Sequence, residues 1–159
     1  MKKRKLIILI SVLIGIKSYS QKLSCSDFKS GTFYIPTSEE LDKFSISSKD
    51  SIIEYSIIRK EKINRYLVIR KEKTQTEWKE GVNNGIPEYE TIEWLSDCTY
   101  RLKYDSKKTE LSSEKKWVND NNGIVVSKIR IFGKCMEYEA TMTTNDGRKI
   151  TQKGTLCKE

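Results

Sequence analysis

From Ile92 to Asp105 the chain reads I-E-W-L-S-D-C-T-Y-R-L-K-Y-D, and over its second half Cys98, Tyr100, Leu102 and Tyr104 alternate with Thr99, Arg101, Lys103 and Asp105. A period of two puts one set on a buried face and the other in water, which predicts a strand. Ile92 and Trp94 flank Glu93 in the same way, and the phase shifts across Ser96-Asp97, as a bulge or tight connection would cause. Similar signals recur. Gly31 opens an aromatic, β-branched run that Pro36 ends; Ile53, Tyr55 and Ile57 alternate within Ser51–Arg59; Tyr66–Arg70 is a further apolar run; Thr74–Lys79 puts Thr76 and Trp78 on one face. Between them, residues 37–43 are polar and predict a loop or one helical turn capped by Thr37 or Ser38, and Asn83-Asn84-Gly85-Ile86-Pro87 is a turn.

After Asp105 the alternation stops, and Lys108–Asn119, with Leu111, Lys115, Trp117 and Val118, is the one stretch that predicts a helix. Asp120-Asn121-Asn122-Gly123 then turns the chain into the β-branched run Ile124–Phe132. That turn clusters Asp and Asn as a calcium loop does, but Ile131 stands where the closing acidic ligand belongs, so it reads as a plain turn.

The last stretch predicts its own register. Thr144-Asn145-Asp146-Gly147 suits a type I turn with Gly147 left-handed, which pairs Thr144 with Arg148. The same register sets Met142 opposite Ile150, Glu139 opposite Lys153, Tyr138 opposite Gly154 and Met136 opposite Leu156, so apolar meets apolar and opposite charges meet. Carried to its end it sets Cys135 opposite Cys157, which predicts a Cys135–Cys157 disulfide and leaves Cys25–Cys98 as the second. On chain-entropy grounds loops of about 21 and 72 residues contribute roughly 3 and 4 kcal/mol.

The beginning of the sequence changes the electrostatic picture. Met1–Lys5 is basic, Leu6–Ile16 is apolar, and Ser18 and Ser20 are small residues ahead of Gln21. This predicts a signal peptide over 1–20 and one β domain over 21–159, exported to the periplasm or the extracellular space. The apolar stretch is too short to span a bilayer, so no transmembrane segment is expected after cleavage. Residues 1–20 hold five of the thirty Lys and Arg and no acid, which leaves 25 bases against 22 acids. So small an excess removes most of the argument for a nucleic-acid partner. All four cysteines lie beyond the leader, as a disulfide framework in an exported chain requires.

Candidate chemistry is sparse. The chain has no histidine and no C-x-x-C, so neither the commonest general base nor a zinc site is expected, and no cofactor is implied. Gly81 and Gly85 are isolated turn glycines rather than a phosphate loop. Glu88, Glu90 and Glu93 read as a solvated strand edge, and Arg59–Lys62 and Arg70–Lys73 as solvated strand ends that blunt edge pairing, with a basic contact surface as the lesser reading. Trp78, Trp94, Tyr100, Tyr104 and Tyr138 are candidates to line a ligand pocket, against the plainer reading that they pack the core.

The pattern C-S-D-F-K-S-G-T-F at Cys25–Phe33, Arg70 with Gln75-Thr76-Glu77, and W-L-S-D-C-T-Y-R-L at Trp94–Leu102 resemble a family of small exported proteins of flavobacteria and related Bacteroidetes. Some members carry a topoisomerase label, which nothing in this sequence supports. The resemblance spans most of the chain beyond the leader and implies a compact all-β exported domain whose first cysteine joins the W-x-x-D-C cysteine. Cys135, Cys157 and the long 60–83 region depart from the shorter members. It implies no catalytic or ligand residues.

Many short strands between turn signals predict an all-β antiparallel meander of about nine strands and one short helix, curled into a barrel or half-barrel, lipocalin-like by analogy. The expected role is non-catalytic: holding a small apolar or amphipathic ligand inside the barrel. The alternative is a protein-interaction module (an inhibitor, immunity or envelope-assembly component) acting through an exposed face.

Overall fold

Each described stretch of alternation becomes a strand that pairs with the next described strand in the chain. The computed structural model describes residues 22–38 and 65–159. Strands β1 (Gly31–Tyr34), β2 (Leu67–Lys71), β3 (Thr74–Trp78), β4 (Glu88–Trp94), β5 (Thr99–Tyr104), β6 (Ile124–Phe132), β7 (Cys135–Thr143) and β8 (Lys149–Lys158) form an antiparallel meander. Strand β8 returns to pair with β1, so the sheet closes into a barrel of eight strands. Of the nine expected strands, the one at Ser51–Arg59 lies outside the described residues, as do the leader at 1–20, residues 39–43 and Arg59–Lys62. Cys98, expected inside a strand, stands one residue before β5, because Leu95–Cys98 makes the tight connection from β4.

The β7–β8 hairpin has the register expected from its turn. Thr144 N–H donates to the Arg148 carbonyl at 2.8 Å, Gly147 has φ +86°, and the pairs run from Met142↔Ile150 to Cys135↔Cys157. Both expected disulfides are present, with Cα–Cα separations of 3.9 Å for Cys135–Cys157 and 5.2 Å for Cys25–Cys98. Tyr138 lies flat over its partner Gly154, where an added Cβ would stand 2.5 Å from the Tyr138 Cζ. Gly154→Ala is therefore expected to drive Tyr138 off its rotamer and cost about 1–3 kcal/mol in urea unfolding, although alanine suits a strand better than glycine. A neutral Gly154→Ala would mean that Tyr138 moves freely.

The helix, α1 (Ser113–Asp120), starts later than expected because Asp105–Lys108 forms a turn and Ser112 Oγ caps the Lys115 N–H at 3.4 Å. It ends at Asn122 and Gly123, both left-handed, with Gly123 N–H returning to the Val118 carbonyl at 2.9 Å. The Asn119 amide bonds both the N–H and the C=O of Tyr104 at 2.9 Å, standing in for a neighbouring strand. Asn121 Oδ1 accepts the Asn145 N–H at 2.8 Å, which ties α1 to the β7–β8 turn.

These contacts place α1 and the β7–β8 turn at one end of the barrel. The other end is closed by the 3-10 helix Cys25–Phe28, which Cys25–Cys98 ties to the β4–β5 connection. Phe28, only 1% exposed, enters the barrel and packs with Phe33, Val68, Met136 and Leu156. The closing seam is short: β1 meets β8 only at Phe33↔Lys158 and Tyr34↔Cys157. Among the described residues no strand pairs with that edge of β8 ahead of Cys157. Outside the barrel beside the seam, Tyr34, Leu67, Cys135 and Cys157 form a second apolar cluster, with Trp78 and Phe132 packed against it.

Candidate functional site

The register of β2 to β5 lays one row of inward residues across the barrel wall. A two-residue turn at Glu72-Lys73 sets Arg70 opposite Gln75; Gln75 is opposite Glu90, and Glu90 opposite Tyr104. Arg70, Gln75 and Glu90 are 3%, 3% and 6% exposed. Such burial of polar groups needs partners, and here they supply one another. Arg70 donates from Nε and Nη2 to Gln75 Oε1 at 2.9 and 2.6 Å, from Nη1 to the Phe28 carbonyl at 2.8 Å, and from Nη2 to the Tyr100 hydroxyl at 2.8 Å. Its guanidinium also lies over the Tyr100 ring, 4.5 Å from the centroid. Gln75 Nε2 then donates to Glu77 Oε1 at 2.6 Å and to Glu90 Oε2 at 2.8 Å, bridging two carboxyls.

One pleat nearer α1, Tyr66 O–H donates to Glu77 Oε2, and Glu77 is the strand partner of Glu88. Lys79 and Lys115 both reach Glu88 Oε1 at 3.1 Å. Burial works to raise the Glu88 carboxyl, but these two ammonium groups outweigh it and hold it below its ordinary range. Glu90 goes the other way: burial first, and then the negative charge of Glu77, push its carboxyl well above the ordinary range. Burial likewise pushes the phenols of Tyr104 and Tyr138 up to about 12, with nearby Glu90 adding to the first and Tyr100 to the second.

These groups line a cavity of about 790 Å³. Its walls are apolar at Val68, Leu102, Ile124, Val126 and Ala140, and aromatic at Tyr66, Tyr100, Tyr104 and Tyr138. It also touches Gln152, Lys153, Gly154, Thr155 and Leu156 in succession. Consecutive residues of a strand point to opposite faces, so the cavity runs around the edge of β8 and reaches the seam with β1. The buried polar groups Arg70, Gln75 and Glu90 lie on β2–β4, and most of the apolar wall lies on β5–β8, where Glu137, Gln152, Lys153 and Thr155 also border the cavity.

Of the aromatic residues singled out in the sequence, Tyr100, Tyr104 and Tyr138 line the cavity. Trp78 lies outside the barrel in the cluster around Cys135–Cys157. Trp94 packs against Tyr100 at 4.9 Å near the closed end and donates its indole N–H to the Glu72 carbonyl at 2.8 Å. Neither tryptophan lines the cavity.

Two readings are corrected. Glu88 and Glu90 are not a solvated edge: their shared parity turns both into the barrel, while Glu93 faces out and pairs with Arg101 at 2.6 Å. Arg70 is not a solvated strand end but the hub of the interior network, although Lys71 and Lys73 beside it are exposed. Arg70, Gln75, Glu77 and Glu90 were thus missed as site residues. The signal was present in the two-residue turn Glu72-Lys73, which by itself pairs Arg70 with Gln75 on one face.

Among the described residues no helix is long and apolar enough to cross a membrane, and no group of three or more His, Cys, Asp and Glu is placed to hold a metal ion. No family model, curated protein or solved structure matches the chain.

Proposed function

We propose that this is an exported, non-catalytic carrier that holds one small amphipathic molecule inside its barrel, in the periplasm or outside the cell. The observation that carries the reading is the cavity itself. At about 790 Å³ it is sized for a small organic molecule, with a largely apolar wall at Leu102, Ile124, Val126 and Ala140 and a few convergent polar groups on β2–β4. The likeness to lipocalin-type carriers is an analogy of architecture alone. Arg70, Gln75, Glu90 and Tyr100 are held in place by hydrogen bonds to one another, which suits a preformed binding surface. Export rests on the leader-like residues 1–20 and suits the two disulfides.

The test is native mass spectrometry of the protein purified from its host's envelope fraction. The expected result is an added mass of a few hundred daltons that is lost on denaturation and is absent from Ala140→Trp, which fills the cavity. A bare wild-type mass would overturn the carrier reading.

A protein-interaction role is the second reading. It is favoured by a depression of about 700 Å³ beside Cys25–Cys98, where Lys22, Lys29, Lys128 and Arg130 gather on the outer surface. A bare chain that co-purifies with one specific partner would support that role.

A further inference from the structure

We propose that the cavity selects a ligand with an ammonium head, seated between the carboxyls of Glu77 and Glu90 with its apolar part along β5–β8. This deepens the carrier reading and rests on it. The two carboxyls share the Gln75 side-chain amide and both line the cavity. Glu90 is more than nine-tenths buried, faces the cavity, and has no cationic partner among the described residues. A buried carboxyl without a counter-ion is costly when charged.

Three of the cations that line or rim the cavity, Arg70, Lys79 and Lys115, are already engaged, and the fourth, Lys153, stands apart from them on β8. Arg70 spends its donors on Gln75, Phe28 and Tyr100, so its fork is not free to receive a carboxylate or phosphate. Lys79 and Lys115 are both held by Glu88 at the rim. An anionic head seated beside Glu77 and Glu90 would have to break one of these sets. An ammonium breaks none, because its N–H groups meet carboxylate oxygens.

Burial and the neighbouring Glu77 make Glu90 hold its proton to a higher pH than an ordinary carboxyl does. An entering ammonium exchanges for it: the proton leaves Glu90 for solvent, the N–H donors take its place, and the net charge of the cavity is unchanged. The other titratable groups lining the cavity are Tyr66 just ahead of β2, Arg70 on β2, Glu88 on β4, Tyr100 and Tyr104 on β5, Glu137 and Tyr138 on β7 and Lys153 on β8, with Lys79 and Lys115 beyond Glu88. The four tyrosines hold their protons longer than usual, chiefly because they are buried, and so do not titrate alongside Glu90. Binding therefore tightens as pH rises through the Glu90 titration.

The experiment is calorimetric titration of the oxidised protein with three amphiphiles that share one tail: octylammonium, octanol and octanoate. Octylammonium is expected to bind at least about tenfold more tightly than either of the others at pH 7, the least that a charge-assisted hydrogen bond provides. Its heat should vary with buffer ionisation enthalpy, reporting a released proton. Glu90→Gln and Glu77→Gln should each abolish the preference while octanol binding is unchanged; the second variant serves if the first does not fold. Equal or tighter binding of octanol or octanoate would overturn the ammonium assignment and leave the carrier reading standing. Failure of all three to bind would overturn both.

Discussion

Replacing Arg70 with methionine is expected to destabilise the barrel by about 3–5 kcal/mol, near the largest effect of a single buried substitution. The loss does not come from packing, since methionine fills a similar volume. It comes from the acceptors left behind. Gln75 Oε1, the Phe28 carbonyl and the Tyr100 hydroxyl all lose the donors Arg70 gave them, and Tyr100 and Phe28 are almost fully buried. Each unsatisfied buried group costs about 1–3 kcal/mol. Arg70→Lys should recover only part of this, because a single ammonium cannot span acceptors on β3, β5 and the 3-10 helix at once. Urea unfolding of the two variants beside Lys71→Met, whose side chain is exposed, would measure the difference. Lys71→Met should stay within about 0.5 kcal/mol of wild type. A loss of less than about 1 kcal/mol for Arg70→Met would mean that water reaches the network and replaces the guanidinium.

Arg70 also shows where the sequence is hard to read. Period-two alternation tells which residues share a face, but the choice of the inward face rests on apolar residues being the buried ones. That held on β5, where Tyr100, Leu102 and Tyr104 point in, and on β7–β8, where the turn fixed the register and the register fixed the disulfide. On β2–β4 polar residues share the inward face with Val68 and Ile92. Arg70, Gln75, Glu77, Glu88 and Glu90 point in, while Leu67 and Trp78 point out to a second apolar cluster around Cys135–Cys157. Two apolar surfaces compete for the hydrophobic residues of one sheet, and nothing local in the chain says which surface a given strand feeds. The network becomes legible only when β2, β3 and β4 are aligned, because its stability lies in cross-strand hydrogen bonds and not in any one residue's polarity. Barrel closure was beyond the sequence for a related reason. It depends on a seam of two residue pairs between β1 and β8, separated by most of the described chain.

Removing the Cys25–Cys98 bridge as Cys25→Ala/Cys98→Ala is expected to cost roughly 4 kcal/mol, a large share of the 5–15 kcal/mol that a domain of this kind has in all. The bridge spans 73 residues and so constrains the unfolded chain strongly, whereas Cys135–Cys157 spans 22 and staples a hairpin whose strands are already paired. Beyond chain entropy it holds the 3-10 helix across the end of the barrel. The ion pairs of that helix are weak: Lys29 reaches Asp97 at 3.4 Å, with Asp97 almost fully exposed, and Lys158 lies 3.7 Å from Asp27. Apart from the bridge, the helix is held by Phe28 in the core and by the Phe28 carbonyl on Arg70. If the helix swings away, Phe28 leaves the core and its carbonyl is withdrawn from Arg70, so the interior network loses an acceptor as well. The double variant should therefore show a lower urea midpoint and a steeper slope, since its unfolded chain exposes more surface. Cys135→Ala/Cys157→Ala should lose less, roughly 3 kcal/mol, with a smaller change of slope. The reverse ranking would show that the barrel's stability is concentrated in the β7–β8 hairpin, and that closure of the far end by Phe28 contributes little.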